Sequence, residues 1–110
     1  MNIINIAKEY SDTPLGRYPE DGDFNGTRFR DDFLLPALRK GETAVVIDGV
    51  EGYGSSFLEE AFGGLVRKGY FTAEELQKKL NVQFEERGFE MYRNMIWRYI
   101  GDAKPEKISE

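Results

Sequence analysis

The chain of 110 residues contains no cysteine and no histidine, and only one tryptophan and four prolines. Without thiol or imidazole there is no disulfide, no thiolate nucleophile, no Ser-His or Cys-His triad and no zinc centre built from nitrogen and sulfur ligands. Any chemistry left belongs to carboxylates, hydroxyls, Lys and Arg side chains, or the backbone. A cationic excess is missing too. Fifteen Lys and Arg face twenty Asp and Glu, a formal charge of −5, which argues against binding a phosphate backbone by counterion release. No apolar run approaches the roughly 20 residues of a bilayer span, and Met-Asn-Ile-Ile-Asn-Ile lacks the basic flank of a signal peptide. The expectation is a cytoplasmic protein with neither a membrane nor a nucleic-acid partner.

What is present suits a packed interior. Hydrophobic residues make up 40% of the chain, among them eight Phe and six Tyr, and 32% are charged. At this length one core is expected, spanning residues 1–102, followed by a frayed, charged tail at 103–110. The acidity is concentrated early: residues 1–55 hold six basic and ten acidic side chains, residues 56–110 nine and ten.

Periodicity supplies the elements. Ile4 and Ile6 alternate with polar neighbours in an edge-like opening strand. Residues 11–26 are rich in Pro, Gly and acidic groups and read as turns, with at most a short strand around 15–18. Phe29, Phe33, Leu34, Ala37 and Leu38 mark an amphipathic helix capped by Asn25 or Thr27, which Pro36 should kink or break. Thr43 to Asp48 is a continuous β-prone run, the signature of a central strand buried on both faces. Ser56-Phe57-Leu58-Glu59 reads as a capping box opening a second helix, and Gly63-Gly64 inside that helix implies a close neighbour. Thr72-Ala73-Glu74-Glu75 opens a short helix, residues 81–86 alternate as a strand, and Phe89, Tyr92, Ile96, Tyr99 and Ile100 mark a last helix ended by Gly101. The expected class is α/β, with a small mixed sheet of about four strands and three to four helices.

Ligands and partners of such sheets gather where strands end and the next helices begin. Here that place is Asp48 to Ser56, with no Lys at the spacing of a phosphate loop. Val45-Val46-Ile47-Asp48-Gly49-Val50 with Ser55-Ser56-Phe57-Leu58-Glu59-Glu60-Ala61-Phe62-Gly63-Gly64-Leu65 resembles the bacterial STAS-like domains of unknown function, relatives of the anti-sigma-factor antagonist domains. Asn25-Gly26-Thr27-Arg28-Phe29-Arg30 and Leu34-Leu35-Pro36-Ala37-Leu38 resemble an upstream block of the same family, so the likeness runs over about residues 15–70. It implies a small α/β domain that regulates by protein–protein interaction or partner switching, alongside a histidine-kinase-like ATPase. It also implies that Ser55 stands where the antagonists carry a phosphorylated serine.

The residues therefore point to a non-enzymatic interaction surface made of Asp48, Tyr53, Ser55, Ser56, Phe57 and Glu59. Ser55 or Ser56 is either a phosphosite or, for Ser56, an ordinary helix cap. No cofactor is required. Two alternatives belong to other classes: an acidic inhibitor or nucleic-acid mimic that engages a basic partner, and a calcium-binding or carboxylate-based enzyme. For calcium, Asp21, Asp23, Asn25 and Asp32 fall at loop spacing, although an acidic turn capping the first helix accounts for the same residues. The pairs Asp31-Asp32, Glu59-Glu60, Glu74-Glu75 and Glu85-Glu86 are adjacent and cannot face each other as acid and base. Trp97 lies off the buried stripe, either a surface anchor or packed beneath the tail.

Overall fold

A computed structural model describes residues 1–106. Three strands form its sheet among those residues: β1 (Asn2–Asn5), β2 (Thr43–Val46) and β3 (Leu80–Gln83), in the order β1-β2-β3. Both pairings are parallel, in register Asn2–Thr43–Leu80 through Asn5–Val46–Gln83. The sheet is thus purely parallel where a mixed one was expected. Residues 11–26 form turns, as read, and no strand forms around 15–18, where at most a short one was expected: Leu15, Gly26 and Thr27 bond across a turn to Phe24, Gly16 and Arg17 and so close a compact loop instead of joining the sheet.

Two long helices carry the connections. α1 (Gly26–Phe29), a π turn (Arg30–Leu34) and α2 (Leu35–Lys40) run on without a break in helical backbone, as do α3 (Ser55–Leu58), a second π turn (Glu59–Gly63) and α4 (Gly64–Arg67). Asn25 is the cap of the first, its side chain accepting from the Arg28 N–H at 2.9 Å. Pro36 does not end that helix, which continues to Lys40. The turn before it widens, Leu35 N–H reaching back five residues to Arg30, and this loosens the stretch where a proline ring would collide. α5 (Ala73–Lys79) opens with the expected Thr72–Glu75 capping box. α6 (Glu90–Asp102) runs through Gly101 rather than stopping at it.

Successive right-handed crossovers to neighbouring strands put both connections on one face of the sheet. Exposure follows that layout. The row Ile4–Val45–Val82 is buried in the core with Phe29, Leu38, Phe57, Phe62 and Leu65, whereas Ile3 is 64% exposed and Asn81 and Gln83 lie open. β2 is the central strand, with Thr43, Ala44 and Val45 all buried. Where the helices cross, side chains are small: a Cβ on Gly26 would stand 2.7 Å from the Phe57 carbonyl. No helix among the described residues is long and apolar enough to cross a membrane.

Candidate functional site

The loop that follows β2 is held at several points. Beyond the strand, Ile47 N–H still bonds to the Gln83 carbonyl at 3.0 Å. Asp48 then accepts from the backbone N–H groups of Glu85 and Glu86 at 2.8 and 3.0 Å, joining the loops after β2 and β3. Tyr53 turns inward: its hydroxyl donates to the Ile47 carbonyl at 2.8 Å, and its ring packs on Phe57, Phe89 and Tyr92. Burial, reinforced by the charge of Asp48, pushes the Tyr53 phenol well above its ordinary value. Gly54 caps the helix without a side-chain bond, and Ser55 and Ser56 stand exposed in the first turn.

Six residues were expected to form one surface, and the structure separates them. Ser55 and Ser56 are on it. Tyr53 and Phe57, 7% and 0% exposed, belong to the core: Tyr53 folds inward from the loop, and Phe57 lies on the buried face of α3. Asp48 is engaged by the 85–86 backbone. Glu59 does not complete a capping box with Ser56; the cap is Gly54 and the helix begins at Ser55, two residues early, and Glu59 pairs with Arg17 and Arg67.

Glu59 belongs to a network that no single stretch of the sequence displays. Glu60, 1% exposed, and Arg30, 3% exposed, face one another from the π turns of the two long helices at 2.5 Å, and Arg30 also donates to the Glu60 carbonyl at 3.1 Å. Arg67 reaches Glu60 at 2.8 Å and Arg17 reaches it at 3.2 Å, tying in the loop before the first helix. Burial alone would raise the Glu60 carboxyl, but the hydrogen bonds from Arg30 and Arg17 and the charges of Arg67 and Arg30 outweigh it and hold it below 4.5. Gly64 explains the fit, since a Cβ there would lie 2.5 Å from Arg30 Nη1. The close neighbour expected at Gly63-Gly64 is therefore the Arg30 side chain, together with the Tyr99 carbonyl beside Gly63. From the far end, Glu106 bonds through its N–H to the Arg67 carbonyl at 2.8 Å and lies 3.6 Å from Lys68. The chain expected to fray after residue 102 is thus docked as far as Glu106, because Ala103 packs on the core and Glu106 finds cationic partners; residues 107–110 lie outside the described residues.

At the carboxyl ends of the strands lies an open cleft of about 780 Å³, floored by Val46, Val82 and the amides of Asn5 and Gln83, with Lys8 and Arg93 on its walls. The loop with calcium-like spacing is committed elsewhere. Asp21 accepts from the N–H groups of Arg17 and Tyr18 at 2.9 and 3.0 Å, Asn25 caps the helix, and Asp32 pairs with Arg28 at 3.7 Å. Among the described residues no three acidic side chains converge as metal ligands. Trp97 is partly buried and packs against the core.

No curated protein and no solved structure matches the chain. A family match does exist, over residues 25–84. It runs from the Asn25 cap through both long helices, β2 and α5 to the end of β3, further toward the C-terminus than the resemblance read from the sequence. Since the match takes in more than half of the chain, the protein belongs to the family described as a STAS-like domain of unknown function.

Proposed function

We propose that the protein is a non-enzymatic regulatory module that binds a protein partner in the cytoplasm through the start of its second long helix, and that phosphorylation of Ser55 or Ser56 switches the binding. The observation that carries this reading is the pair of exposed serines set between two buried aromatics. Tyr53 and Phe57 anchor the turn on either side, so Ser55 and Ser56 are presented on a fixed scaffold. A phosphoryl group of roughly −1.5 to −2 charge there would meet free N–H groups and the positive end of the helix dipole. Glu59, which would otherwise repel it, is neutralised by Arg17 and Arg67. The absence of His and Cys, and the engagement of Glu59 and Glu60 by Arg17, Arg30 and Arg67, fit a protein recognised rather than reacting.

The test compares proteins captured from native lysate by the wild type and by Ser55→Glu/Ser56→Glu, with intact-mass analysis of the chain after co-expression with a neighbouring histidine-kinase-like ATPase. A partner held by one form and released by the other, together with phosphate on the 55–56 peptide, supports the reading. Identical capture by both forms and an unmodified peptide overturn it.

A further inference from the structure

Helices that join parallel strands must run back against them, so both the 26–40 helix and α5 end at the amino ends of the strands. Cations favoured in last helical turns by the dipole therefore gather at one end of this molecule. Arg39 and Lys40 close α2, and Lys78 and Lys79 close α5. The two ends touch: Lys79 Nζ donates to the Leu38 carbonyl at 3.4 Å. Arg39 lies over the Tyr70 ring at 5.6 Å and Lys79 over the Phe71 ring at 5.4 Å, so the Tyr70-Phe71 turn is flanked by cations, with Tyr70 itself 38% exposed. Arg17, Arg30 and Arg67 are committed to internal carboxylates, but among the described residues none of these four forms an ion pair. Beside them opens a cleft of about 320 Å³ whose lining includes Glu42, Thr43, Gln77, Lys78, Lys79 and Asn81.

We propose that this basic end of an acidic protein is a docking surface for an acidic polypeptide segment. Four cations around Glu42, on a chain of charge −5, are too few for the counterion release that holds a nucleic-acid backbone. They suffice for separate carboxylates, and the exposed side chains of Gln77 and Asn81 supply hydrogen-bonding groups for an extended chain beside them. The surface lies at the opposite end of the strands from Ser55 and Ser56, so its existence does not depend on the phosphoswitch.

A fluorescein-labelled dodecapeptide rich in Glu and Asp, titrated with the full chain by fluorescence anisotropy, tests it beside a labelled oligothymidylate of equal length. At about 50 mM salt the acidic peptide binds saturably and the oligothymidylate more weakly; at about 200 mM the peptide is released. Lys40→Glu/Lys78→Glu weakens the peptide about tenfold, whereas Glu85→Lys/Glu86→Lys at the far end does not weaken it. If the charge-reversed protein fails to fold, Lys40→Ala and Lys78→Ala, each losing about threefold, take its place. No peptide binding at low salt, binding indifferent to these lysines, or tighter binding of the oligothymidylate overturns the proposal.

Discussion

Glu60→Gln isolates the buried charge network, because glutamine keeps the shape of the side chain and removes only the charge that Arg30, Arg17 and Arg67 share. Arg30, 3% exposed, would keep Asp31 at 2.9 Å, a partner near the surface, and lose the one opposite it in the interior. Breaking a buried pair from one side costs about 3–5 kcal/mol, since the surviving charge stays desolvated. An unfolding entropy of about 2.1 cal/mol/K per residue over 110 residues makes 1 kcal/mol equivalent to about 4 °C in Tm, so a loss of roughly 12–20 °C is expected by thermal or urea unfolding. Arg30→Met/Glu60→Leu, which removes both charges and leaves Arg17 and Arg67 to Glu59, should fall within about 2 kcal/mol of the wild type, far less than either single change. The pH profile gives an independent readout. With its native value held below 4.5, Glu60 contributes stability that is complete above that value and is lost as pH falls through the lowered native one. Wild type should therefore lose stability on acidification more steeply than Glu60→Gln. A shift under about 4 °C for Glu60→Gln, or a double variant as unstable as Arg30→Met alone, would refute this account of the network.

Other expectations follow from local geometry. Gly26→Ala drives a Cβ to 2.7 Å from the Phe57 carbonyl and should cost about 2 kcal/mol of unfolding free energy; Gly101→Ala, with open space around it, should gain about 0.5–1 kcal/mol. Asn25→Ala removes both the helix cap and a bond to the Gly22 carbonyl, a loss of about 1–2 kcal/mol by chemical denaturation. At alkaline pH, burial lifts the Tyr10 phenol to about 12 and Tyr53 also stays protonated. Their contribution is complete below about 10 and fades as pH rises through the native values, so Tyr53→Phe should flatten the alkaline limb of the stability profile.

How far the sequence could be read depended on how far apart the interacting residues lie along it. The β-prone run from Thr43, the first helix's cap and the Thr72–Glu75 capping box each involve residues a few positions apart: the run forms the central strand as far as Val46, Asn25 rather than Thr27 is the cap, and the capping box forms as read. Phe57 falls on the apolar stripe of its helix and is buried as that stripe implies, which removes it from the contact surface, whereas Tyr53, in a loop without periodicity, turns inward because closing the interior, not local pattern, decides it. Asp48 falls where a ligand-facing carboxylate was expected, yet its acceptor oxygens meet backbone N–H groups 37 and 38 residues away. The charge network does leave a trace, one that patterns of apolar residues alone pass over. Arg30 sits four residues before Leu34 and Glu60 three after Phe57, so each helix carries one charge, of opposite sign, on its buried stripe. A lone buried charge is too costly to keep. Two such charges on two helices, with Gly26 and Gly64 at small-residue positions, imply that the helices cross where the charges meet. Charge and glycine placement together thus set the two helices against each other from residue order alone. They do not supply Arg17, whose position depends on a loop with no periodicity to read.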